Sequence, residues 1–197
     1  DGEIHLCGRP VSIKSKNLYV PPEERGLGMV FQSFAVWPHM NIFENVAFPL
    51  RVRKVPKAEM IERVKMALKH TSLDGMEKVY PGNLSGGQQQ RIALARAILK
   101  DAPIVLLDEA TAFADAENEY LIQKALDILL HGKTVLMIAH RLYSIQDADC
   151  IFVLENGQLR EQGSHTELLK ANGLYAHLWA IQNETESWQM KGGPAYV

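Results

Sequence analysis

The chain has 197 residues, 47% of them hydrophobic and 22% charged, with a formal net charge of -2. That length buries the core of one domain with a subdomain, and the near-neutral balance lacks the basic excess of a general nucleic-acid binder, so no nucleic acid is expected among its partners. No apolar run approaches the roughly 20 residues that cross a bilayer, so a membrane role is expected to come through a partner.

The start, Asp1-Gly2-Glu3-Ile4-His5, is polar and acidic, unlike a secretory leader, and because it does not open with Met a segment upstream is expected. Cys7 and Cys150 stand far apart without metal-ligand spacing and are expected to be buried free thiols. Gly2–Cys7 alternates as a strand does, and Gly8-Arg9-Pro10 turns it toward a second strand at Val11–Ile13. Pro21-Pro22-Glu23-Glu24 followed by Gly26 predicts a short helical turn with its stop. Leu27–Phe31 is an apolar strand ending at Gln32. Ile42–Leu50 and Lys57–Thr71 have helical spacing, the second with Ile61, Val64, Ala67 and Leu68 on one face. Pro81-Gly82-Asn83 breaks the chain before a helix from about Ser85 to Leu99.

Beyond this point strands and helices alternate. Ile104–Leu107 predicts a buried strand ending in Asp108, and Glu117–Leu130 a helix with Leu121, Ile122, Ala125 and Leu129 on one side. Thr134–Ala139 predicts another buried strand, ending at His140. Leu142–Asp147 is expected to be helical and Cys150–Leu154 a strand, joined through Asn156-Gly157 to Gln158–Glu161 as a hairpin. Ser164 and Glu167 have capping-box spacing ahead of a helical C-terminal part, and Lys191–Val197 is expected to be loose. Such alternation implies an α/β fold with a mostly parallel sheet, whose ligands gather at the carboxyl ends of the strands. Gln32, Asp108 and His140 each fall at such an end.

Three strings carry chemistry. In Leu84-Ser85-Gly86-Gly87-Gln88-Gln89-Gln90-Arg91 a Ser at an N-cap and two glycines open a long helix, which presents backbone N–H groups at a positive helix end, a place for phosphate. A plain capped helix after a loop is the structural alternative, but glycines in a first turn cost roughly 1 kcal/mol each and want a reason. Ile104-Val105-Leu106-Leu107-Asp108-Glu109 is an apolar strand with two acids at its exit; one suits Mg²⁺ and the second can orient or deprotonate an attacking water. His140 closes Met137-Ile138-Ala139-His140-Arg141, where a histidine at the edge of a core is the ordinary alternative. Asp115 in Ala112-Phe113-Ala114-Asp115 can also cap the helix after it.

Taken in order, these segments resemble the nucleotide-binding domain of ABC transporters along nearly the whole chain, to about Trp188. Gln32 matches the family's Q-loop, the Ser85 string its signature, Asp108-Glu109 its Walker B pair, Asp115 its D-loop acid and His140 its switch histidine. The resemblance implies a P-loop NTPase-type ABC ATPase core with a mostly parallel sheet. It implies an ATPase domain over residues 1–189 with a helical subdomain at about 33–90, and a loose tail at 190–197. ATP and Mg²⁺ are the implied cofactors. Asp108 would bind the metal directly or through water, and Gln32 would complete the metal and water shell. Glu109 would activate the water and His140 would steady the γ-phosphate. Ser85, Gly86, Gly87 and Gln88, with Asp115, would contact nucleotide in a site shared by two such domains. The implied partners are a second ATP-binding domain and transmembrane permease domains, at the cytoplasmic face of a membrane. Residues 32–50, with Phe34, Val36, Trp37 and Phe43, are expected to dock on the permease, unless those side chains simply pack the subdomain.

Two departures from the family pattern stand out. No G-x-x-x-x-G-K-[ST] string occurs; Gly132-Lys133-Thr134 leads into a strand rather than a helix and reads as a turn. The phosphate loop is therefore expected upstream of Asp1, and the fold to be incomplete at its N-terminus, with an exposed sheet edge and face. Glu23–Arg96 resembles importer ATPases, whereas Glu109-Ala110-Thr111-Ala112-Phe113-Ala114-Asp115 and His165-Thr166-Glu167-Leu168-Leu169 resemble exporter-type domains, including those of siderophore systems. The rival functions are a non-transport ABC ATPase, which would carry a coiled-coil or second-domain insertion between Gln32 and Ser85, and a catalytically inactive module.

Overall fold

The structure is a computed structural model that describes residues 2–108, 116–139 and 141–190. It divides into two compact units, Asp1–Ile138 and Ala139–Val197.

The first unit opens with an antiparallel meander of β1 (Glu3–Leu6), β2 (Arg9–Ile13) and β3 (Leu18–Tyr19). Its first turn sits on Cys7 and Gly8, at φ 49° and 75°, and not on Gly8-Arg9-Pro10. Two successive positive φ angles match the twist of a two-residue hairpin, which leaves Arg9 and Pro10 inside β2 and Cys7 exposed. Cys150 is exposed as well, so neither thiol is the buried one expected.

A parallel sheet follows, in the order β4 (Leu27–Val30), β5 (Ile104–Asp108), β6 (Thr134–Ile138). One face is covered by α3 (Gly86–Lys100) and α4 (Ala116–Leu130), with Val30, Leu94, Val105, Leu107, Ile122 and Leu129 in one buried apolar cluster. A second cluster joins the opposite side of α3, through Ile92, Ala95 and Leu99, to α1 (Ile42–Val52) and α2 (Lys57–His70). Helix α3 is thus apolar on two sides because it belongs to two cores. Along α2, Val64, Ala67 and Leu68 are buried, as the helical spacing predicts.

Strand β6 differs from its expectation. Its run Val135-Leu136-Met137-Ile138 reads as buried, yet Leu136 is 55% and Ile138 57% exposed. Among the described residues β6 pairs only with β5, and only Met137 reaches the cluster under α4. Register places Met29, Leu106 and Leu136 side by side on the other face, where Met29 is also exposed. An exposed edge and apolar face of this kind is a site for unwanted association. The Gly132-Lys133 segment is a turn, with Gly132 at φ 69° and the Lys133 ammonium paired with Asp101 at 2.9 Å.

In the second unit β7 (Ile151–Glu155) and β8 (Gln158–Gly163) form the hairpin predicted at Asn156-Gly157, both residues lying at positive φ. Residues Leu142–Ile145 form a 3₁₀ turn rather than an α-helix, too short a stretch to close α-helical turns. Ser164 caps α5 (His165–Ala171) in the predicted box with Glu167. Hydrogen bonds from the Ser164 backbone and hydroxyl hold the Glu167 carboxyl below its ordinary pKa. The Glu161 carboxylate accepts from the N–H groups of Leu174 and Tyr175 at the start of α6 (Leu174–Met190). Residues 191–197, expected to be loose, lie outside the described residues.

Candidate functional site

The parallel register builds one end of the candidate site. Val30 pairs with Leu107, and Asp108 with Ile138. Gln32, two residues past Val30, and Asp108 therefore leave neighbouring strands at the same carboxyl edge of the sheet, where α/β folds bind ligands. Asp108 is half-buried and Gln32 exposed. A carboxylate and a carboxamide oxygen are hard donors of the kind Mg²⁺ takes, a few at a time, with water completing the shell. Glu109, Asp115 and His140 lie outside the described residues.

Immediately after Gln32 the backbone takes an unusual path. Phe34 and Ala35 are both left-handed, at φ 59° and 44°, conformations that cost non-glycine residues roughly 1–3 kcal/mol each and persist only when surrounding contacts impose them. Two side chains impose them, Arg96 and Asn45. Arg96, on α3, donates to the Phe34 carbonyl at 2.7 Å and to the Ala35 carbonyl at 2.8 Å. Its guanidinium also lies over the Trp37 ring, 4.6 Å from the centroid. Burial lowers its pKa to about 10, so it remains a cation at neutral pH. Asn45, buried in α1, accepts from the Trp37 N–H at 2.9 Å and donates to the Trp37, Met40 and Asn41 carbonyls.

Phe34 packs on the core of the sheet, Val36 and Phe43 on that of the helices, and Trp37 against Phe48 at 4.4 Å. The aromatic residues of this stretch therefore serve packing first; Phe31 and Phe48 keep exposed surface. Asn45→Ala leaves the Trp37 N–H and the carbonyls without their partner, so it is expected to lower stability by about 2 kcal/mol, read as a drop in the denaturation midpoint.

The start of α3 is the second element. The Ser85 hydroxyl accepts from the Gln88 N–H at 3.2 Å, and the Gln88 carboxamide accepts from the Ser85 N–H at 2.9 Å. This closes the capping box and sends the Gln88 side chain back onto Ser85. The Gln89 N–H goes to the Ser85 carbonyl, so the N–H groups left for an anion are those of Gly86 and Gly87. Gly86 faces Phe34, whose ring would stand 3.8 Å from an added Cβ. Gly87 is in far tighter contact, since a Cβ there would lie 2.6 Å from Cγ of Asn118 on α4. The first turn of α3 thus abuts both the Gln32 loop and α4. Arg96, Asn45 and Asn118 are the residues that sequence reasoning missed. A signal existed for Arg96, a lone charge in the apolar run Ala93-Leu94-Ala95-Arg96-Ala97; Asn45 and Asn118 give none, since their partners are set by tertiary contacts.

A parallel sheet with Gln32 and Asp108 at its carboxyl edge, backed by a helix that opens on Ser85-Gly86-Gly87, has the fold of an ABC-type ATPase. Residues 1–112 match the ABC transporter family, and the chain belongs to that family. An ATP-dependent lipid A-core flippase of Psychrobacter cryohalolentis is 42% identical over 187 residues, covering 91% of this chain and 30% of that protein. The mycobactin import ATP-binding/permease protein IrtA of Mycobacterium tuberculosis is 43% identical over 185 residues, covering 90% of this chain and 21% of that protein. Among solved structures, a bacterial Atm1-family ABC exporter with ATP bound superposes with a TM-score of 0.73 at 33% identity, over 92% of this chain and 32% of its own. The chain spans about a third or less of the length of these relatives. Relatives named for import and for export both align along about nine-tenths of it. No described helix is long and apolar enough to cross a membrane.

Proposed function

We propose that this chain hydrolyses ATP within a larger transporter, in a site shared with a second ATP-binding domain, and drives transport through permease domains at the cytoplasmic face of a membrane. The observation that carries the reading is the pairing of Val30 with Leu107, which brings Gln32 and Asp108 to one edge of the sheet. Mg²⁺, when bound, supplies positive charge against the oxygens of the transferring phosphoryl group. Asp108 would hold that ion, directly or through water, and the Gln32 carboxamide would orient the attacking water. The Glu109 carboxylate would accept the proton that this water gives up, and a His140 ring N–H would steady the γ-phosphate. Ser85, Gly86, Gly87 and Gln88, with Asp115, would meet nucleotide in the shared site, Gly86 and Gly87 through their N–H groups at the positive end of α3. Residues 33–90 would act as the helical subdomain facing the permease. The family likeness to flippase, import and export proteins supports transport as the purpose.

The 197 residues hold no G-x-x-x-x-G-K-[ST] string, and the grip on the β- and γ-phosphates comes from the N–H groups and Lys of such a loop. Residues 1–197 alone are therefore expected neither to hold ATP tightly nor to hydrolyse it. Calorimetry and phosphate release with Mg-ATP test both statements, run on this polypeptide and on a longer protein that adds a phosphate loop upstream. Absence of Mg²⁺-dependent phosphate release from the longer protein would end the ATPase reading. Micromolar binding by the 197 residues alone would show that the grip comes from elsewhere.

A further inference from the structure

We propose that Arg96 is a positioning residue for Gln32: from α3 it fixes the carbonyls of Phe34 and Ala35, and so sets where the chain leaving β4 places the Gln32 side chain. The inference rests on the proposed place of Gln32 in the metal and water shell.

Only Ser33 separates Gln32 from Phe34. The backbone at Phe34 and Ala35 is left-handed at two successive non-glycine residues, so this path has to be imposed from outside the segment. Two nitrogens of a single planar guanidinium donate to the two carbonyls, at 2.7 and 2.8 Å. A rigid fork of this kind fixes both distances at once, which a lysine ammonium on a flexible stem does not. The Trp37 ring under the same guanidinium closes the segment from its other side. Asn45 then pins Trp37, Met40 and Asn41 to α1, so the downstream end is anchored independently. Upstream, the carbonyls that Arg96 holds stand two and three residues from Gln32. Arg96 lies ten residues along α3 from Gly86, about 15 Å on a rigid helix.

The test uses the ATPase-competent protein that carries these residues, with Arg96→Ala, Arg96→Lys and Trp37→Leu read alone and in a Gln32→Ala background. In the nucleotide-free protein, Arg96→Ala should raise hydrogen exchange at the Phe34 and Ala35 amides, while the Trp37 amide, held by Asn45, and amides in the middle of α3 keep their protection. With Mg-ATP, kcat should fall about tenfold while KM for ATP changes less than about twofold, as for a catalytic group displaced by a fraction of an ångström. Arg96→Lys should recover little of this, and Trp37→Leu should give a smaller loss of the same kind. In the Gln32→Ala background none of the three should lower kcat further, since residues acting as one unit are not additive. Additive losses in that background would overturn the proposal, as would unchanged exchange at the Phe34 and Ala35 amides. Should Arg96→Ala fail to fold, Arg96→Lys and Trp37→Leu decide it by the same two readouts. Gln32→Ala with wild-type turnover would instead overturn the reading of Gln32 on which the proposal stands.

Discussion

Glu109→Gln, in a protein competent for ATP hydrolysis, is expected to bind ATP as the parent does and to lose turnover by at least about 100-fold, the low end of what a positioned general base contributes. The substitution keeps side-chain size and removes only the basic oxygen, so contacts that hold the nucleotide persist while the water loses its proton acceptor. Glu109 follows Asp108, the last residue of β5, and acids at this edge of a parallel sheet stand where ligands bind. In the proposed mechanism the two acids would divide the work: Asp108 would hold the cation, whose charge would assist the phosphoryl transfer, and Glu109 would take the proton. If both ATP domains must turn over to reset a shared site, the variant should accumulate as an ATP-bound dimer, measurable by size-exclusion chromatography with Mg-ATP. Wild-type turnover in Glu109→Gln would remove the residue from the base role and leave Asp108 unaffected.

What could be read from the residues follows the range of the forces involved. Strands β4 and β5 were legible because an apolar run closed by a polar residue reflects burial along a single segment, and Gln32 and Asp108 were found at their ends for the same reason. Caps were legible too, since Ser85 with Gln88 and Ser164 with Glu167 satisfy one another within four residues. Strand β6 was misread because Val135-Leu136-Met137-Ile138 carries the composition of a buried strand, while its exposure depends on what covers it. Cys7 was misread because a left-handed turn position is decided by the hairpin around it. Arg96 stands out as a lone charge in an apolar run, but the carbonyls it holds are 61 and 62 residues away in sequence, and no local pattern names those partners. The same holds for Asn118, whose significance lies in a helix about thirty positions earlier.

That contact gives the other large effect. The two glycines at the start of α3 suit a helix end that nucleotide approaches closely, but Gly87 has a packing reason of its own. A Cβ there would stand 2.6 Å from Cγ, 2.7 Å from Oδ1 and 3.0 Å from Cβ of Asn118. Asn118 is not free to swing away, because its Oδ1 accepts from Arg91 at 3.3 Å. Arg91 in turn donates to the Thr71 and Ser72 carbonyls just beyond α2. Gly87→Ala gains roughly 1 kcal/mol of helix propensity and still should destabilise by about 1–3 kcal/mol net, the usual cost of overpacking, seen as a lower thermal midpoint. Asn118→Ala removes two of the three close atoms, so the double variant should recover most of that midpoint. Turnover separates the two reasons for the glycine. If the N–H groups of Gly86 and Gly87 meet phosphate, the methyl group still crowds that approach, and the double variant should stay at least about tenfold below wild type, the scale of one lost oxyanion-type contact or less. Recovery of full turnover together with the midpoint would show that Gly87 is required by Asn118 alone, and the first turn of α3 would lose its place in the nucleotide site.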